Sequence, residues 1–349
     1  MNLIGEHTDY NDGFVFPAAI DRALYVAARP CEGSSRIFSA QRLHGCEFDA
    51  LDCEPGSVDG WGRYAAGMGW ALRGEGQISN LEAAIYSEVP TGSGVSSSAA
   101  MEMAMGSAWN DLCGLGLEMK RLALLGQRCE NDFVGVKSGI MDQMASAMGK
   151  AGHAMFLDTR TLEIEYAPIP AGAVVVLLDT GKKRALASSA YNERRAECEK
   201  ASRVLGVRAL RDAGEADLEG ARGMLDDTTY RRARHVITEN ARCLAFLEAL
   251  GDSDLSEVGR LMRESHESLR DDYEVSCEEL DAMAEGAWQA PGCIGARMTG
   301  AGFGGSCVAL VDEGLAKEFV KNALEQYRKS TGLRGAGTRC QVTLGAGRC

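Results

Sequence analysis

The segment from Leu81 to about Leu112 constrains the fold of this chain more than any other. Apolar residues at Leu81–Glu88 predict a strand that runs into a loop containing Gly92 and Gly94, and a helix follows. Glycines let such a loop turn tightly, so that successive N–H groups and the positive end of the helix can point at one spot. The order of strand, glycine loop and helix therefore predicts a phosphate site.

Two known types of phosphate-binding loop can be excluded from the sequence. It is not a Walker A loop, because the sequence contains no G-x-x-x-x-G-K-[ST] run, and it is not a protein-kinase glycine loop, because no H-R-D or D-F-G partner follows. Ser96, Ser97 and Ser98 have an ordinary alternative role as helix caps. From the loop alone, both interpretations stay open.

The length of the chain predicts more than one folding unit. At 349 residues it exceeds what one hydrophobic core usually organises, so two lobes with a cleft between them are expected. Pro168 and Pro170 precede a short apolar run, Val174–Leu178, which is typical of a buried strand. We therefore expect an N-terminal lobe over residues 1–168 and a C-terminal lobe over residues 169–349.

Hydrophobic periodicity predicts strands and helices in both halves of the chain. Besides the segment above, strands are expected at residues 14–30, 35–53, 174–178, 294–299, 307–311 and 341–344, with a hairpin at 153–166. Helices are expected at about residues 61–74, 119–133, 189–205, 226–250, 254–270 and 278–289, and a further helix is expected to open near Asp142. This pattern predicts an α+β fold with mixed sheets.

Charge and special residues exclude several classes of partner. The net charge of −13 argues against nucleic acid or an anionic membrane as a partner. No apolar run has the length of a transmembrane helix and residues 1–20 lack the pattern of a signal peptide, so a cytoplasmic protein is expected. Twelve cysteines without a C-x-x-C pair indicate reduced thiols, and five histidines without ligand spacing make a structural transition-metal site improbable.

The N-terminal run Asn2–Gly13 concentrates hydrogen-bonding side chains in a turn-rich stretch. Glu6, His7 and Asp9 supply acceptors and a donor that could meet several hydroxyls of one sugar ring. A solvated β-turn is the ordinary alternative for such a composition.

Two carboxylates and a second glycine cluster are further candidates for the site. Asp142 is expected near a helix start, as a general base, as an anchor for a substrate hydroxyl, or simply as an N-cap. Glu130 could share Mg²⁺ with a loop serine, although most helix glutamates are simply solvated. Four glycines within Gly300–Gly305 indicate a backbone that approaches a ligand or crosses another loop closely.

Together these stretches resemble the three signatures of the GHMP small-molecule kinases, and the first signature narrows the resemblance to the galactokinase family. The signatures are Asn2–Pro17, Pro90–Ala100 and Gly300–Gly305. Further stretches that resemble the same family cover most of the chain: 130–135, 139–143, 189–195, 234–240 and 268–276.

The resemblance implies two α/β lobes with the active site in the cleft between them, and transfer of phosphate from ATP, with Mg²⁺, to the anomeric hydroxyl of galactose. Its implied roles are Asp142 beside the reacting oxygen O1, Mg²⁺ at Ser98 and Glu130, and closure of Tyr191 over the sugar. The sugar would also contact Glu6, His7, Asp9 and Gly139. Backbone amides would cradle the triphosphate at Gly92, Ser93, Gly94, Val95, Ser96, Ser97 and Ser98.

One departure from the family lies at the start of the chain. Galactokinases carry an arginine in a Pro-Gly-Arg segment immediately before the residue that aligns with Met1, and that arginine and the first strand are not in this sequence. A misassigned start is one explanation, because the aligned residue is commonly valine and a GTG valine codon can be read as an initiator methionine. Because a few pocket residues decide which sugar substituents are tolerated, a related kinase for N-acetylgalactosamine, arabinose or galacturonate is one alternative. The missing arginine supports a second, a catalytically weak galactose- and ATP-binding sensor. A monomer or weak homo-oligomer is expected in each case.

Overall fold

The computed structural model of this protein describes residues 1–90, 92, 94–183 and 187–348, with the backbone alone for residues 187–189. Strands and helices mostly occur in runs along the chain rather than in strict alternation, which agrees with the α+β prediction. The α-helices of the described residues are α1 Gly62–Leu72, α2 Ser97–Leu112, α3 Met119–Arg128, α4 Met141–Met148, α5 Ala187–Leu205, α6 Glu215–Gly220, α7 Asp227–Gly251, α8 Leu255–Asp271, α9 Glu278–Trp288 and α10 Ala316–Thr331.

The strands of the described chain form one three-stranded sheet and two four-stranded sheets, with orders β1-β6-β7, β11-β8-β10-β9 and β2-β5-β3-β4. Their bounds are β1 Phe14–Val15, β2 Leu24–Cys31, β3 Ser35–Ser39, β4 His44–Phe48, β5 Asn80–Ser87, β6 His153–Asp158, β7 Ile164–Pro168, β8 Ala173–Asp179, β9 Cys293–Thr299, β10 Ser306–Asp312 and β11 Ala336–Cys340. Nearly all neighbours pair antiparallel, whereas β3 and β5 run parallel.

Two compact units can be distinguished, and neither is a continuous half of the chain. The first contains residues 1–21, 92–95 and 150–343, and the second contains residues 22–91, 96–149 and 344–349. This division differs from a single cut at residue 168. The physical reason is strand pairing, because β1 pairs with β6 and β6 pairs with β7, which joins the N-terminal segment to residues 153–168.

The first unit is built around a buried sheet covered by helices. Strand β8 pairs with both β10 and β11, and β10 pairs with β9. The consecutive apolar residues of β8 and β10 are almost all buried, which explains why they appear in the sequence as continuous rather than alternating apolar runs. Helices α8 and α9 pack on β9, and α10 packs on α9.

The second unit combines the β2-β5-β3-β4 sheet with helices α1 to α4. The small residues Ala65, Ala66 and Gly69 of α1 are fully or largely buried and let neighbouring helices approach closely. A Cβ at Gly69 would lie 3.2 Å from the Cβ of Ala50. The inner face of α2 carries Met103, Met105 and Trp109, all fully buried. These helices therefore hold α2 firmly at the end of the glycine loop.

Several sequence predictions need correction. Residues 14–30 do not form one strand, because β1 pairs with β6 and β2 pairs with β5 of a different sheet. Residues 35–53 form two strands, and the last strand lies at Ala336–Cys340 rather than at residues 341–344. The helix predicted to end at residue 133 becomes a π-helix at Cys129–Val134. Helices α6 and α10 were not predicted. The remaining predicted helices and strands are confirmed to within two residues at most ends.

None of the helices in the described ranges combines the length and the apolar character that a membrane crossing needs.

Candidate active site

The N-terminal run forms a buried, anchored loop rather than a solvated turn. The amide of Leu3 donates to the carbonyl of Phe16, and the amide of Phe16 donates to the carbonyl of Ile4, each at a distance of 3.0 Å. The side chains of Leu3 and Ile4 are completely buried. The polar residues that follow are therefore held by a fixed backbone. We call residues 2–17 the sugar turn.

Glu6 is a buried residue of the sugar turn, and its carboxylate is hydrogen-bonded to the third glycine motif. Its Oε1 accepts hydrogen bonds from the amide of Gly300 at 2.7 Å and from the hydroxyl of Thr299 at 3.1 Å. The guanidinium of Arg297 lies 3.4 Å from the same oxygen and is fully buried. One carboxylate oxygen of Glu6 is thus fixed by the protein itself.

His7 and Asp9 are also held in place. His7 adopts the left-handed backbone conformation at φ 64°, which is uncommon for a residue other than glycine. Its Nε2 donates to the carbonyl of Ala301 at 3.2 Å, and its Nδ1 lies 2.8 Å from the hydroxyl of Tyr10. Asp9 begins a short 3₁₀ turn, and its Oδ1 accepts from the amide of Tyr10. The backbone strain at His7 marks a position set by the surrounding structure.

Aromatic rings surround His7. Its ring centroid lies 5.3 Å from that of Tyr191 on α5 and 4.8 Å from that of Tyr273. The rings of Tyr10 and Tyr191 meet edge-on, 5.1 Å apart. The structure therefore brings Tyr191 together with the sugar turn across more than 180 residues of sequence. Tyr273 was not singled out from the sequence.

Helix α7 supports the sugar turn from behind through three side chains on one face. Glu239 accepts the amide of Gly5 at 2.9 Å, Asn240 accepts the amide of Phe14 at 2.9 Å, and Nε2 of His235 donates to the carbonyl of Glu6 at 3.1 Å. His235 and Glu239 are four residues apart and share a helix face, which is a usable sequence signal, and Asn240 directly follows Glu239. Sequence analysis noted the stretch without assigning it this role.

The charges of these supporting residues are well defined. Burial is the largest single influence on Glu239 and would raise its pKa, but the charges of Arg242 and Arg297 and the hydrogen bond from Ser265 act together with other nearby groups to lower the pKa to about 2. Burial lowers the pKa of His235 to about 4. Glu239 is therefore ionised and His235 neutral at physiological pH. A single proton on Nε2 agrees with the donor role of this nitrogen towards Glu6.

Glu130 lies in the second unit, at the centre of a cluster of polar side chains. Its Oε2 accepts the hydroxyl of Ser138 at 2.5 Å and the amide of Gln143 at 3.2 Å. Burial raises the pKa of Glu130, hydrogen bonds from Ser138 and Ser98 lower it, and the charge of Asp142 raises it again, so that the net direction is upward. The structure thus brings Glu130, Ser98 and Asp142 together, as the sequence prediction requires.

Asp142 is the second residue of α4, and the buried Gly139 precedes that helix. The predicted position near a helix start is confirmed. Asp142 raises the pKa of Glu130 and of Glu102 by the proximity of its negative charge. We call Glu102, Glu130 and Asp142 the carboxylate cluster.

Glu102 of α2 is a member of this cluster that sequence analysis missed. It is fully buried, and its Oε2 accepts the amide of Gln143 at 3.0 Å, so that Gln143 bridges Glu102 and Glu130. Its Oε1 has no hydrogen-bond partner of good geometry among the described residues, although the thiol of Cys129 is near enough to lower the pKa of Glu102 slightly. Burial, followed by the charge of Glu130, raises the pKa of Glu102 well above its usual range.

The glycine loop has the backbone freedom that the sequence predicts. Gly92 and Gly94 have positive φ values of 80° and 88°, and Ser96 follows in the left-handed conformation at φ 59°. Gly94 and Val95 are buried, while Ser97 and Ser98 begin α2. Within the described residues, the side chain of Ser96 does not cap the helix. Ser93, which was also predicted to contact nucleotide, lies outside the described residues.

The third glycine motif is a close crossing of two chain segments. A Cβ at Gly302 would lie 2.1 Å from the carbonyl oxygen of Val275, and the amide of Phe303 donates to the same oxygen at 2.7 Å. Of the two interpretations of this motif, the structure shows the crossing of another loop. The crossing also places the amide of Gly300 on Glu6.

The residues present fit a magnesium ion that accompanies a nucleotide. Within the described chain, no three His, Cys, Asp or Glu side chains are arranged to hold a metal on their own. Mg²⁺ needs few protein ligands when phosphate and water supply the rest. Glu130 and Ser98 offer hard oxygen ligands, and a cation would offset the negative charges that raise the pKa values in the carboxylate cluster.

Three family descriptions match parts of this chain. The galactokinase galactose-binding signature matches residues 1–30, the GHMP kinases N terminal domain matches residues 63–150, and the GHMP kinases C terminal description matches residues 246–329. The first covers the sugar turn and the second covers the carboxylate cluster.

Curated relatives are similar over nearly the whole chain. The galactokinase of Chloroflexus aggregans is 45% identical over 355 residues, which cover 97% of this chain and 91% of the relative. The galactokinase of Roseiflexus sp. is 44% identical over 354 residues, covering 100% of this chain and 90% of the relative.

Solved structures share the fold. The crystal structure of Lactococcus lactis galactokinase complexed with galactose has a TM-score of 0.95 and 37% identity, and the match covers 100% of this chain and 92% of that chain. A crystal structure of mevalonate kinase has a TM-score of 0.69 at 17% identity and covers 99% of this chain and 97% of that chain. The fold is thus the GHMP kinase fold, with mixed sheets and helices.

Proposed function

This chain belongs to the galactokinase family of GHMP kinases, and from that premise we propose that it transfers the γ-phosphoryl group of ATP to the anomeric hydroxyl of galactose. The products are galactose 1-phosphate and ADP. The observation that carries the proposal is the match of residues 1–30 to the galactose-binding signature, at the segment that forms the anchored sugar turn.

The sugar-binding roles follow from the way the turn is held. Glu6 and Asp9 present carboxylates from a backbone fixed by hydrogen bonds, so little entropy is lost when they contact sugar hydroxyls. Both ring nitrogens of His7 contact protein atoms, so its ring edge and face are the surfaces left for the sugar. Tyr191 stacks beside that ring and is proposed to cover the sugar. Gly139 is proposed to let the sugar approach the start of α4.

The phosphate-binding roles follow from the glycine loop. The backbone amides from Gly92 to Ser98, Ser93 included, are proposed to cradle the triphosphate, supported by the positive end of α2. Ser98 and Glu130 are the residues that would hold Mg²⁺, which when bound neutralises charge on the phosphates. Gln143 and Ser138 keep the carboxylate of Glu130 oriented.

The proposed chemistry needs one base. The carboxylate of Asp142 accepts, or orients, the proton of the anomeric hydroxyl while the sugar oxygen forms its bond to the γ-phosphorus. The bond between that phosphorus and the bridging oxygen breaks, and ADP leaves with the electron pair. Asp142 lies in the first turn of α4.

Cellular context is proposed from the chemistry of the chain. Eleven cysteines of the described residues are free thiols, which suits a reducing compartment where ATP is available, such as the cytoplasm. The alternatives from the sequence, a kinase for another sugar and a catalytically weak sensor, have no structural observation in their favour. A monomer or a weak homo-oligomer remains our expectation.

The test is direct measurement of galactose 1-phosphate by ³¹P NMR, with ATP, Mg²⁺ and galactose. Parallel reactions contain N-acetylgalactosamine, arabinose or galacturonate in place of galactose. We expect galactose to give the highest kcat/KM. A higher kcat/KM for another sugar would overturn the assignment of substrate, and galactose binding without any transfer would overturn the assignment as a kinase.

A further inference from the structure

A line of side-chain hydrogen bonds leads from the sugar turn into the interior of the first unit. The hydroxyl of Tyr10 lies 2.8 Å from Nδ1 of His7 and 2.7 Å from the hydroxyl of Tyr273. The hydroxyl of Tyr273 in turn lies 3.1 Å from the thiol of Cys198 on α5. We call Cys198, Tyr273, Tyr10 and His7 the hydroxyl line.

The hydrogen bond from His7 to the carbonyl of Ala301 determines which group donates in each bond of the hydroxyl line. The carbonyl of Ala301 can only accept, so Nε2 of His7 carries a proton. When the ring is neutral, Nδ1 is an acceptor and Tyr10 donates to it. The oxygen of Tyr10 then accepts from Tyr273. The oxygen of Tyr273 accepts from the thiol of Cys198.

The surroundings keep these donors protonated. Tyr273 is completely buried, and Cys198 is buried to 1% exposure. Burial raises the pKa of Tyr10 and of Tyr273 well above their usual range, and it raises the pKa of Cys198 to about 11. The same direction of donation is therefore available throughout the physiological pH range. Cooperative polarisation strengthens each bond of such a chain.

We infer that Tyr273 is a positioning residue for galactose binding, because its hydroxyl acts through Tyr10 to hold His7 in the Nε2-protonated form and in a fixed orientation beside Tyr191. The inference rests on the proposed function of the sugar turn. It extends the site to a residue that lies 263 positions from Tyr10 in the sequence and makes no proposed contact with the sugar.

A purely structural role for Tyr273 gives a different pattern of effects. Its ring packs on both His7 and His235, at 4.8 and 4.6 Å between centroids, so removal of the whole side chain would disturb packing. Removal of the hydroxyl alone leaves those ring contacts in place. A positioning role then predicts effects on galactose that diminish with distance from His7 along the hydroxyl line, whereas a packing role predicts no such order.

The experiment compares three variants and one matched control. Tyr10→Phe, Tyr273→Phe and Cys198→Ala each remove one donor from the hydroxyl line. Tyr327→Phe is the control, because Tyr327 is a completely buried tyrosine of the same unit whose hydroxyl donates to the carbonyl of Thr180. KM for galactose, KM for ATP, kcat and urea stability are measured for all four and for the unchanged protein.

We expect KM for galactose to rise about tenfold in Tyr10→Phe, about threefold in Tyr273→Phe and less in Cys198→Ala, since a neutral hydrogen bond contributes on the order of 1 kcal/mol. KM for ATP is expected to stay unchanged in all variants. The control is expected to lose a similar amount of stability to Tyr273→Phe and to keep its KM for galactose. Equal galactose effects in Tyr273→Phe and the control would overturn the inference, as would a larger effect in Cys198→Ala than in Tyr10→Phe.

A second measurement needs no substrate and separates this inference from the proposed function. The protein is labelled with ¹⁵N-histidine, and the signals of His7 are assigned by their loss in His7→Gln. We expect Nε2 protonated and Nδ1 unprotonated in the unchanged protein, with a growing share of the other tautomer in Tyr273→Phe and then in Tyr10→Phe. An Nδ1-protonated His7 in the unchanged protein would overturn the inference even if galactose is the substrate. The expected tautomer without any galactose phosphorylation would leave the hydroxyl line in place and refute only the proposed function.

Discussion

The sugar turn and the carboxylate cluster differ in whether their carboxylates have a positively charged side chain nearby. Beneath the sugar turn, Glu6 and Glu239 alternate with Arg297 and Arg242, so that each carboxylate has a cation close by. In the carboxylate cluster, Glu102, Glu130 and Asp142 all carry the same sign, and among the described residues no ion pair joins them to a lysine or arginine. The pKa of Glu239 is lowered, whereas those of Glu102 and Glu130 are raised.

The sugar turn therefore has a fixed geometry, whereas the carboxylate cluster has uncompensated negative charge that a cation would neutralise. Paired charges hold the sugar turn in one arrangement, although Nε and Nη2 of Arg297 have no acceptor in the described protein. Like charges in the carboxylate cluster cost stability that only a cation or a proton relieves. Changes in the first region should therefore weaken the fold, whereas changes in the second should weaken function while sparing or strengthening the fold.

The largest effect is expected for Asp142→Asn. Because the amide cannot accept the proton of the sugar hydroxyl, kcat should fall about 10³-fold or more. Loss of one negative charge beside Glu130 and Glu102 should leave stability equal or higher. Steady-state kinetics and urea unfolding test both parts. Asp132→Asn, an exposed carboxylate of the same region, is the control. Unchanged turnover in Asp142→Asn would remove this residue from the mechanism.

Glu239→Gln should have the largest effect on stability. The amide can still accept from Gly5, but the partly buried guanidinium of Arg242 loses its countercharge, which costs about 3 kcal/mol of unfolding free energy. Urea denaturation measures the change, and Glu248→Gln on the exposed side of the same helix is the matched control. A stability equal to that of the control would mean that charge pairing does not hold the sugar turn.

Acid should weaken the support of the sugar turn through His235. Its folded pKa of about 4 lies below the usual value of 6.5, so the unfolded state binds more protons between these values and stability falls as pH drops from 6.5 to 4. The loss attributable to this residue should reach roughly 3 kcal/mol. His235→Gln should lack that component, while His44→Gln, at an exposed histidine, should retain it. The free energy of unfolding is measured at several pH values. An identical pH dependence in the two variants would contradict the assignment of this loss to His235.

The smallest expected effect is a gain. Glu102→Gln is isosteric and removes a carboxyl group whose ionised form is disfavoured by burial and by Glu130, so stability should rise by about 1 kcal/mol at neutral pH. The expected change in stability is opposite in sign to that of Glu239→Gln. Thermal and urea unfolding provide the measurement. A loss of stability here would show that Glu102 is stabilised in place and would remove the contrast between the two regions.

Sequence reasoning could identify residues that lie close together along the chain, and it could identify the site through them. Glu6, His7 and Asp9 lie within four residues of each other, and the strand, glycine loop and helix are continuous in sequence. Their predicted elements are confirmed. The family resemblance then connected segments that periodicity alone leaves separate.

What remained hidden depends on contacts between distant positions. Glu239 reaches Gly5 across 234 residues and Tyr273 reaches Tyr10 across 263, and each looks like an ordinary helix or loop residue in the sequence. Helix α10 was missed although the sequence carries its signal, since Phe319, Ala323 and Tyr327 recur at helical spacing along one buried face. The π-helix around Glu130 has no pattern of its own that distinguishes it from the end of α3.

The interleaving of the two units along the chain has a consequence for folding during synthesis. Nearly all of the second unit is complete once residue 149 has emerged, whereas residues 1–21 find most of their partners only after residue 150. The sugar turn depends on Gly300 and Glu239, so it must wait for the distal half of the chain. Pulse-labelling hydrogen exchange should show β3 and β5 protected before Leu3 and Phe16, and the reverse order would contradict this sequence of events. A ribosome that stalls before residue 300 would therefore present a largely folded second unit beside a sugar turn that has not yet formed.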